Sequence, residues 1–162
     1  MTAVALEIRG LAEAIAQVRG VEDRMQRLEP AMRVVAALIT RHIDDRFATS
    51  TDPSGSPWAP LADSTLRSRR GSTATILVDT ARLRNSNHAE PTNDSVLFGT
   101  NVAYGTFHQA PGEDSPIPER RFLPVVEIGG EWVLDASGPA GELWERAARV
   151  IEQYVLDGRI TG

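Results

Sequence analysis

The stretch from Phe98 to Val125 constrains the fold more than any other part of the chain, because glycine and proline punctuate it throughout. Gly99 and Gly105 lack a side chain and so let the backbone approach other segments closely. The prolines fix the dihedral angle φ and favour an extended, semi-rigid loop over a helix. The pattern predicts a strand, a close backbone approach, a long loop and the start of another strand. A loop of this kind usually makes contacts rather than hanging free.

Two helices are predicted before this stretch and one after it. Apolar residues recur at steps of three and four over about residues 11–28 and again over about 30–47, which gives each segment one apolar stripe. Pro139 opens a third such segment and Gly158 ends it. Pairing of the first two helices as an antiparallel hairpin over a sheet would cover both stripes.

Strands are predicted ahead of these helices and between them. Val4, Leu6 and Ile8 alternate with other residues and indicate a first strand with one buried face. Turn residues at 92–94 and Gly129-Gly130 each lie between two short strand-like runs and indicate two hairpins. The predicted strand pairs are 86–91 with 95–100, and 125–128 with 131–134.

This order of elements indicates an α+β fold with a mainly antiparallel sheet, on which two N-terminal helices and one C-terminal helix pack. At 162 residues, the chain is expected to form a single domain over residues 1–162, with a real hydrophobic core. No apolar run reaches membrane-spanning length, and the N-terminus lacks a signal-peptide pattern. Cysteine is absent, which excludes disulfides and thiolate chemistry.

A long loop is expected to project over about residues 48–75, where the apolar periodicity vanishes and Ser, Thr, Pro and Gly dominate. It is longer than an ordinary connection. Trp58 and Leu61 are apolar anchors within it that need a surface to cover. We interpret them as contacts to a neighbouring subunit; the alternative is that Trp58 folds back on the protein's own core.

Arginine supplies all of the basic charge, and the net charge of the chain is −5. This balance argues against binding of nucleic acid by the whole surface. A local basic cluster is nevertheless present, and its members are Arg67, Arg69, Arg70, Arg82 and Arg84. Three interpretations stay open: a solvated loop, pairing with acidic groups of a neighbouring subunit, or direct phosphate contact.

The sequence offers little for catalysis. His42, His88 and His108 lack the spacing of a metal site. Ser86, His108 and Asp79 could form a hydrolytic trio, but no nucleophile-elbow motif surrounds the serine. No glycine-rich phosphate-binding loop is found. We therefore expect no catalytic site, no metal and no cofactor, and we interpret His108 as a hydrogen-bonded packing residue near aromatic side chains.

An ordered series of short motifs resembles the phage virion morphogenesis (tail completion) family over about residues 30–125. The series comprises Trp58-Ala-Pro-Leu61 with Thr65, residues 76–83 with Ser86, Gly99-Thr100, Tyr104, His108-Gln109 and the block 118–123. No single motif is specific, but their order is. Family members usually carry glycine at the position of Ala81 and an apolar residue at that of Asn87, so the turn after Asp79 is expected to differ. That turn is expected to be a short helical one over 81–85, capped by Asp79 or Thr80.

The resemblance implies a structural protein of a tailed phage, at the neck or tail end, that completes the tail and enables joining to the head. It implies a homo-oligomeric ring, most simply a hexamer, with the tail tube protein and head–tail connector proteins as partners. DNA would pass through the channel without specific binding, and no membrane is involved. The protein would be assembled in the host cytoplasm and reside in the virion. The alternatives are a small phage-encoded hydrolase and a capsid-assembly factor absent from the mature virion.

The candidate interface residues come from the long loop and from the stretch that opens this section. They are Trp58, Leu61, Arg67, Arg69, Arg70, Tyr104, His108, Gln109, Arg120, Arg121 and Phe122. Adjacent strand residues point to opposite faces, so one of Arg120 and Arg121 is expected to be buried and the other exposed. The buried guanidinium needs a carboxylate or a carbonyl partner. The nearby acidic candidates are Glu113, Asp114 and Glu119, on the same loop or on an adjacent copy of the chain.

Overall fold

The computed structural model describes residues 11–70 and 75–160, so the strand predicted at residues 4–8 lies outside the described residues. The α+β class is confirmed, with six helices and four strands in the described part. They are α1 (Leu11–Met25), α2 (Glu29–Thr49), α3 (Asp63–Ser68), α4 (Arg82–Asn85), β1 (Asn87–Pro91), β2 (Val96–Thr100), α5 (Gly105–Gln109), β3 (Val125–Ile128), β4 (Glu131–Leu134) and α6 (Gly138–Asp157). Within the described residues, no helix has the length and apolar character needed to cross a membrane.

Helix α2 forms the centre of the core. Its buried face carries Ile39, Ile43 and Phe47, each only 1% exposed, and it packs against both α6 and the β1–β2 hairpin. The Phe47 ring meets Trp58 edge-on at a centroid distance of 5.7 Å and Phe122 at 5.5 Å. Aromatic pairs of this kind stabilise the fold beyond the contribution of their buried apolar area. These three rings therefore tie distant parts of the chain to α2.

Helix α1 carries the predicted apolar stripe but packs mainly on α6 rather than pairing with α2. Arg24 fastens it there, donating through Nε to the carbonyl of Val155 at 2.7 Å and through Nη2 to that of Leu156 at 2.8 Å. Val18 stays 68% exposed and Ile15 44%. The chain therefore covers the stripe of α1 only in part.

The strands of the described residues form two separate antiparallel hairpins instead of the one sheet that the sequence predicted. Both predicted hairpins are confirmed, β1 pairing with β2 and β3 with β4. Gly129 and Gly130 form the second turn at φ values of 62° and 85°, which glycine adopts without strain. Helix α5 and an irregular proline-rich segment occupy the chain between the hairpins, so it contributes no strand to join them.

The stretch between β2 and β3 contains helix α5, which the sequence did not predict. A Cβ atom at Gly105 would lie 2.9 Å from Cγ2 of Thr100 and 3.1 Å from Cδ1 of Leu83, so the predicted close approach is confirmed there. At Gly99 a Cβ would meet nothing within 4 Å. The predicted close approach is therefore wrong at Gly99, which faces open space.

The turn before α4 is built differently from the prediction. Ala81 occupies the cap position at φ 58°, in the left-handed region, and no side chain caps the helix. The carboxylate of Asp79 instead accepts a hydrogen bond from the backbone N–H of Arg70 at 3.1 Å. The predicted capping by Asp79 or Thr80 is thus wrong, because this carboxylate ties the turn to the end of α3.

Candidate assembly interface

The segment that follows α2 folds back on the protein over its first half. Trp58 is 5% exposed, and its indole Nε1 donates to the carbonyl of Arg121 at 2.8 Å. The ring belongs to this chain's own core, which is the alternative that the sequence left open. Helix α3, in contrast, buries none of its residues. The projecting part of the predicted loop is therefore α3 and the residues beside it, whereas residues 50–58 are exposed only at 55–57.

Arg120 is buried inside the chain, at 6% exposure. It donates through Nε to the carbonyl of Ala59 and through Nη2 to that of Pro60, both at 3.0 Å. Burial lowers the pKa of Arg120. The side chain therefore fixes the segment after Trp58 against the 118–123 block, using carbonyl oxygens as partners.

Arg121 joins two acidic residues that are remote in the sequence. Its Nη2 lies 3.1 Å from Oδ2 of Asp52 and its Nη1 lies 3.0 Å from Oδ2 of Asp135. Three carboxylates were expected as partners, and all three lie within the described residues. Only the Glu119 carboxylate comes near, with its Oε1 3.9 Å from Nε of Arg121. The prediction that one arginine would be exposed is wrong: the Arg121 side chain is only 16% exposed, because the segment after α2 and the start of α6 close over it.

The two carboxylates around Arg121 are held by further hydrogen bonds. Burial alone would raise the pKa of Asp52, but donors outweigh it and leave the pKa below its ordinary value. Those donors are the Ser54 hydroxyl, the Ser56 N–H and Arg121. The Asp135 carboxylate accepts from the N–H and the hydroxyl of Ser137. We call Asp52, Arg121 and Asp135 the clamp, since they tie three segments together.

Gln109 is also an internal residue, 5% exposed. Its Oε1 accepts from the N–H groups of Phe122 and Leu123, both at 3.0 Å. Its Nε2 donates to the carbonyls of Leu123 at 3.3 Å and Val125 at 3.1 Å. The amide thus pairs with the chain as a neighbouring strand would, and it holds the fully buried Phe122 in the core.

An open groove of about 530 Å³ lies on the surface beside these internal contacts. It is bounded by α3, the turn before α4, the outer side of α5 and the proline-rich segment at 116–118, and we call it the groove. The rings of Tyr104 and His108 meet edge-on in it at 6.5 Å, and Tyr104 is 41% exposed. Five candidate interface residues line the groove: Leu61, Arg69, Tyr104, His108 and Arg120.

The groove has a basic side. Arg82 lines it and is exposed, and it makes no ion pair within the described residues. Arg69 also lines it, donates to the carbonyl of Thr75 at 2.8 Å and lies 3.9 Å from the carboxylate of Asp79. Arg67 and Arg70, both exposed, flank Arg69 in the sequence. Arg84, the remaining member of the basic cluster, does not line the groove. Its Nε lies 3.8 Å from Oδ1 of Asp44.

His108 packs against Tyr104, as expected for a packing residue near aromatic side chains. Burial, and then the charge of Arg120, lower its pKa, which keeps the imidazole neutral at pH 7. The expected hydrogen bond is not found at Nδ1, which is buried without a partner in the described part of the chain. The groove thus owes its positive charge to arginine rather than to histidine.

The β3–β4 hairpin is a second exposed surface, and sequence reasoning did not single it out. All four residues of β4 are exposed, and β3 is only half-buried at its start. Ile128 is 63%, Trp132 51% and Leu134 54% exposed. The signal was present in the run Trp132-Val133-Leu134, because three consecutive apolar residues put apolar side chains on both faces of a strand.

The hydrolytic trio does not assemble as a catalytic site. The Ser86 hydroxyl donates to the carbonyl of Leu83 at 2.7 Å and lies 2.6 Å from the Thr100 hydroxyl. Among residues 11–70 and 75–160, no hydrogen bond links Ser86, His108 and Asp79. The same residues hold no cluster of three groups able to bind a metal ion.

Comparison with known families identifies one match, which spans residues 6–137 and is described as the phage virion morphogenesis family. No curated protein and no solved structure matches the chain. The matched residues include the clamp, the groove and both hairpins. The match covers well over half of the chain and confirms the resemblance of its ordered motifs. The chain therefore belongs to the phage virion morphogenesis family.

Proposed function

We propose that this protein is a structural component of the neck or tail end of a tailed phage, where it completes the tail and enables joining to the head. The observation that carries the proposal is the family match over residues 6–137, which indicates a role in virion assembly. The finer position follows from the resemblance of the ordered motifs to tail-completion proteins. In this role the protein acts by shape and charge complementarity, without catalytic turnover.

The same role implies a ring of identical copies around the DNA channel. Exposed apolar side chains on the β3–β4 hairpin, in the groove and on α1 support it, since such surfaces on a soluble chain mark contacts. A chain of this length has a radius of gyration of about 15 Å and is roughly 40 Å across. A closed hexamer of such bodies leaves a central opening of about 40 Å, wide enough for duplex DNA once inward loops narrow it.

The charge of the chain suits a channel wall that DNA passes without specific binding. The net charge is −5, so the surface as a whole repels the phosphate backbone. The tail tube protein and the head–tail connector proteins are the partners we propose above and below the ring. The rigid internal contacts of the clamp and Gln109 fix the shape that these partners would recognise.

Deletion of the gene from its phage tests the proposal. We expect filled heads and unjoined tails to accumulate separately, and a plasmid-borne copy to restore complete particles. Failure of head formation would instead favour a capsid-assembly factor. Complete particles that accumulate an unprocessed substrate would favour a hydrolase. Normal yields of infectious particles would refute all three assignments.

A further inference from the structure

Two exposed surfaces of this chain carry apolar side chains and opposite charge. We propose that the β3–β4 hairpin of one copy docks in the groove of the next copy around the ring. The inference rests on the proposed ring and specifies the contact that builds it. Residues 125–134 of one copy are inserted, and the groove of the next copy, which Arg82 lines, receives them.

The hairpin is poorly stabilised by its own chain. An isolated two-stranded hairpin is marginal in water and needs packing against another element. Every residue of β4 is nevertheless exposed, and Trp132 and Val133 direct apolar side chains to opposite faces. Ile128 beside the turn is 63% exposed. Apolar exposure on both faces of a marginal element is the pattern of a surface that becomes covered on assembly.

The charges of the two surfaces are opposite. The hairpin carries Glu127 and Glu131 and no basic residue. Both glutamates are exposed, and neither makes an ion pair within the described residues. The groove presents the exposed Arg82, and Arg67 and Arg70 flank its lining. Complementary charge of this kind orients an approaching partner and selects against the wrong register.

The two surfaces lie on different sides of one chain, so the hairpin that fills the groove comes from a second copy. Helix α5 lies between them: Tyr104 and His108 line the groove, whereas Thr106 and Ala110 line the cleft that also borders Trp132. A hairpin on one side of α5 does not fill the groove on the other side in its own chain. Each copy therefore has one donor surface and one acceptor surface, and such a heterologous contact closes into a ring.

The proposed contact places hairpin side chains against specific partners. The register places Ile128, Glu131 and Val133 on the same face of the hairpin. Ile128 and Val133 enter the groove between Tyr104 and Ile117, which are 41% and 36% exposed. Glu131 meets Arg82 of the next copy. A central aromatic or aliphatic anchor surrounded by charged pairs is the usual build of a stable protein contact.

Cysteine cross-linking in assembled particles tests this contact directly, because the chain has no cysteine of its own. The variant carries Ile128→Cys together with Ile117→Cys, both at exposed positions where folding should persist, as its thermal midpoint will show. Particles are treated with a short bismaleimide. We expect a ladder of covalent oligomers that rises to the full ring. Each single variant, and Ile128→Cys combined with Arg146→Cys on α6, should stay monomeric.

The outcomes separate the contact from the proposed function. A monomeric double variant inside complete particles would refute the hairpin–groove contact and leave the ring in place. Dimers from Ile128→Cys alone would show that hairpins pair with each other, which also refutes it. Absence of the protein from complete particles would refute the ring and this contact together.

Charge reversal gives a second, independent measurement of the same contact. Glu131→Arg and Arg82→Glu are each expected to lower the yield of complete particles about tenfold or more, because like charges then face each other. The two changes combined in one chain should restore most of the yield. Arg146→Glu, at another exposed arginine, should have little effect. Additive losses in the combined variant would refute the proposed pairing.

Discussion

Ala81 has a backbone conformation that is unfavourable for alanine. Its φ is 58°, and the left-handed region is strained for a residue with a Cβ by about 1–2 kcal/mol. Glycine removes that strain but raises the conformational entropy of the unfolded chain. The entropy increase offsets about 0.4–1 kcal/mol of the stability gained. The Asp79 carboxylate accepts from the backbone N–H of Arg70 and ties this turn to the end of α3, although alanine does not favour the conformation locally.

Replacing Ala81 with glycine should therefore stabilise the protein by about 0.5–1 kcal/mol. Urea unfolding at neutral pH measures the change. The matched control is Ala148→Gly, an exposed alanine inside α6, which should destabilise by about 1 kcal/mol because glycine weakens a helix interior. Destabilisation by Ala81→Gly would show that the turn is not left-handed at this residue.

His42 makes the stability of the protein sensitive to mild acid. Burial and then the charge of Arg46 lower its pKa from 6.5 to about 4, although Asp45 and Asp135 act in the other direction. The side chain is 7% exposed and its Nε2 has no partner in the described residues. The folded state thus resists protonation that the unfolded state accepts, so stability is fully present above about pH 6.5 and is lost as pH falls toward 4.

Between about pH 7.5 and pH 5, this one group should lower the free energy of unfolding by about 2 kcal/mol. The variant His42→Gln cannot be protonated and should lose that part of the pH dependence. Urea unfolding of both proteins at the two pH values gives the difference. The depressed pKa of His108 acts with the same sign and stays in both proteins, so it cancels. Equal pH dependence in the two proteins would contradict a neutral buried His42.

At the scale of elements, the clamp decides how the irregular segments are placed. Arg121 holds Asp52 after α2 and Asp135 before α6, and its own carbonyl accepts from Trp58. Removing the guanidinium leaves two carboxylates without their main charged partner, one of them 6% exposed. The loss of a buried partner of this kind typically destabilises by about 3–5 kcal/mol.

Arg121→Ala should accordingly lower the free energy of unfolding by about 3 kcal/mol. The segment after α2 should then unfold more readily than the rest of the protein, because it loses its tie to Arg121. The control is Arg33→Ala, which removes an exposed pair with Glu29 at 2.7 Å and should change stability by less than about 0.5 kcal/mol. Thermal and urea unfolding compare the three proteins. If Arg121→Ala lowers the free energy of unfolding no more than Arg33→Ala does, the clamp does not contribute to stability.

Sequence patterns predicted the elements whose signals are local. The second hairpin was found at its observed bounds because two glycines between apolar runs specify a two-residue turn. Helices α2 and α6 followed from apolar periodicity and their boundary residues. Helix α5 was missed, since five residues opening on a glycine carry no helical period.

The partners of the arginines could not be predicted in the same way. The contacts of Arg121 join residues separated by 69 and 14 positions, so only the tertiary fold brings them together. Gln109 was taken as an interface residue although its amide pairs with buried backbone. Leu61, Tyr104 and Arg69 line one groove, as expected of residues named for a common surface, and their role as an interface stays a prediction.

At the scale of the whole molecule, the chain combines a rigid interior with incompletely covered surfaces. The core around α2 and the clamp fix the segments after α2, before β3 and before α6 against one another. The stripe of α1 and the hairpin remain exposed within the described residues. A building block of a closed assembly needs this combination, because its contacts must be oriented before they are formed.

Electron cryomicroscopy of intact particles tests the central claim most directly. The account predicts a closed hexameric ring of this chain around the DNA channel at the neck or tail end, with the β3–β4 hairpin of each copy against the groove of the next. The map should show density for Ile128 beside Tyr104 of the neighbouring copy. A complete neck and tail end in which every density is assigned to other proteins would contradict the account.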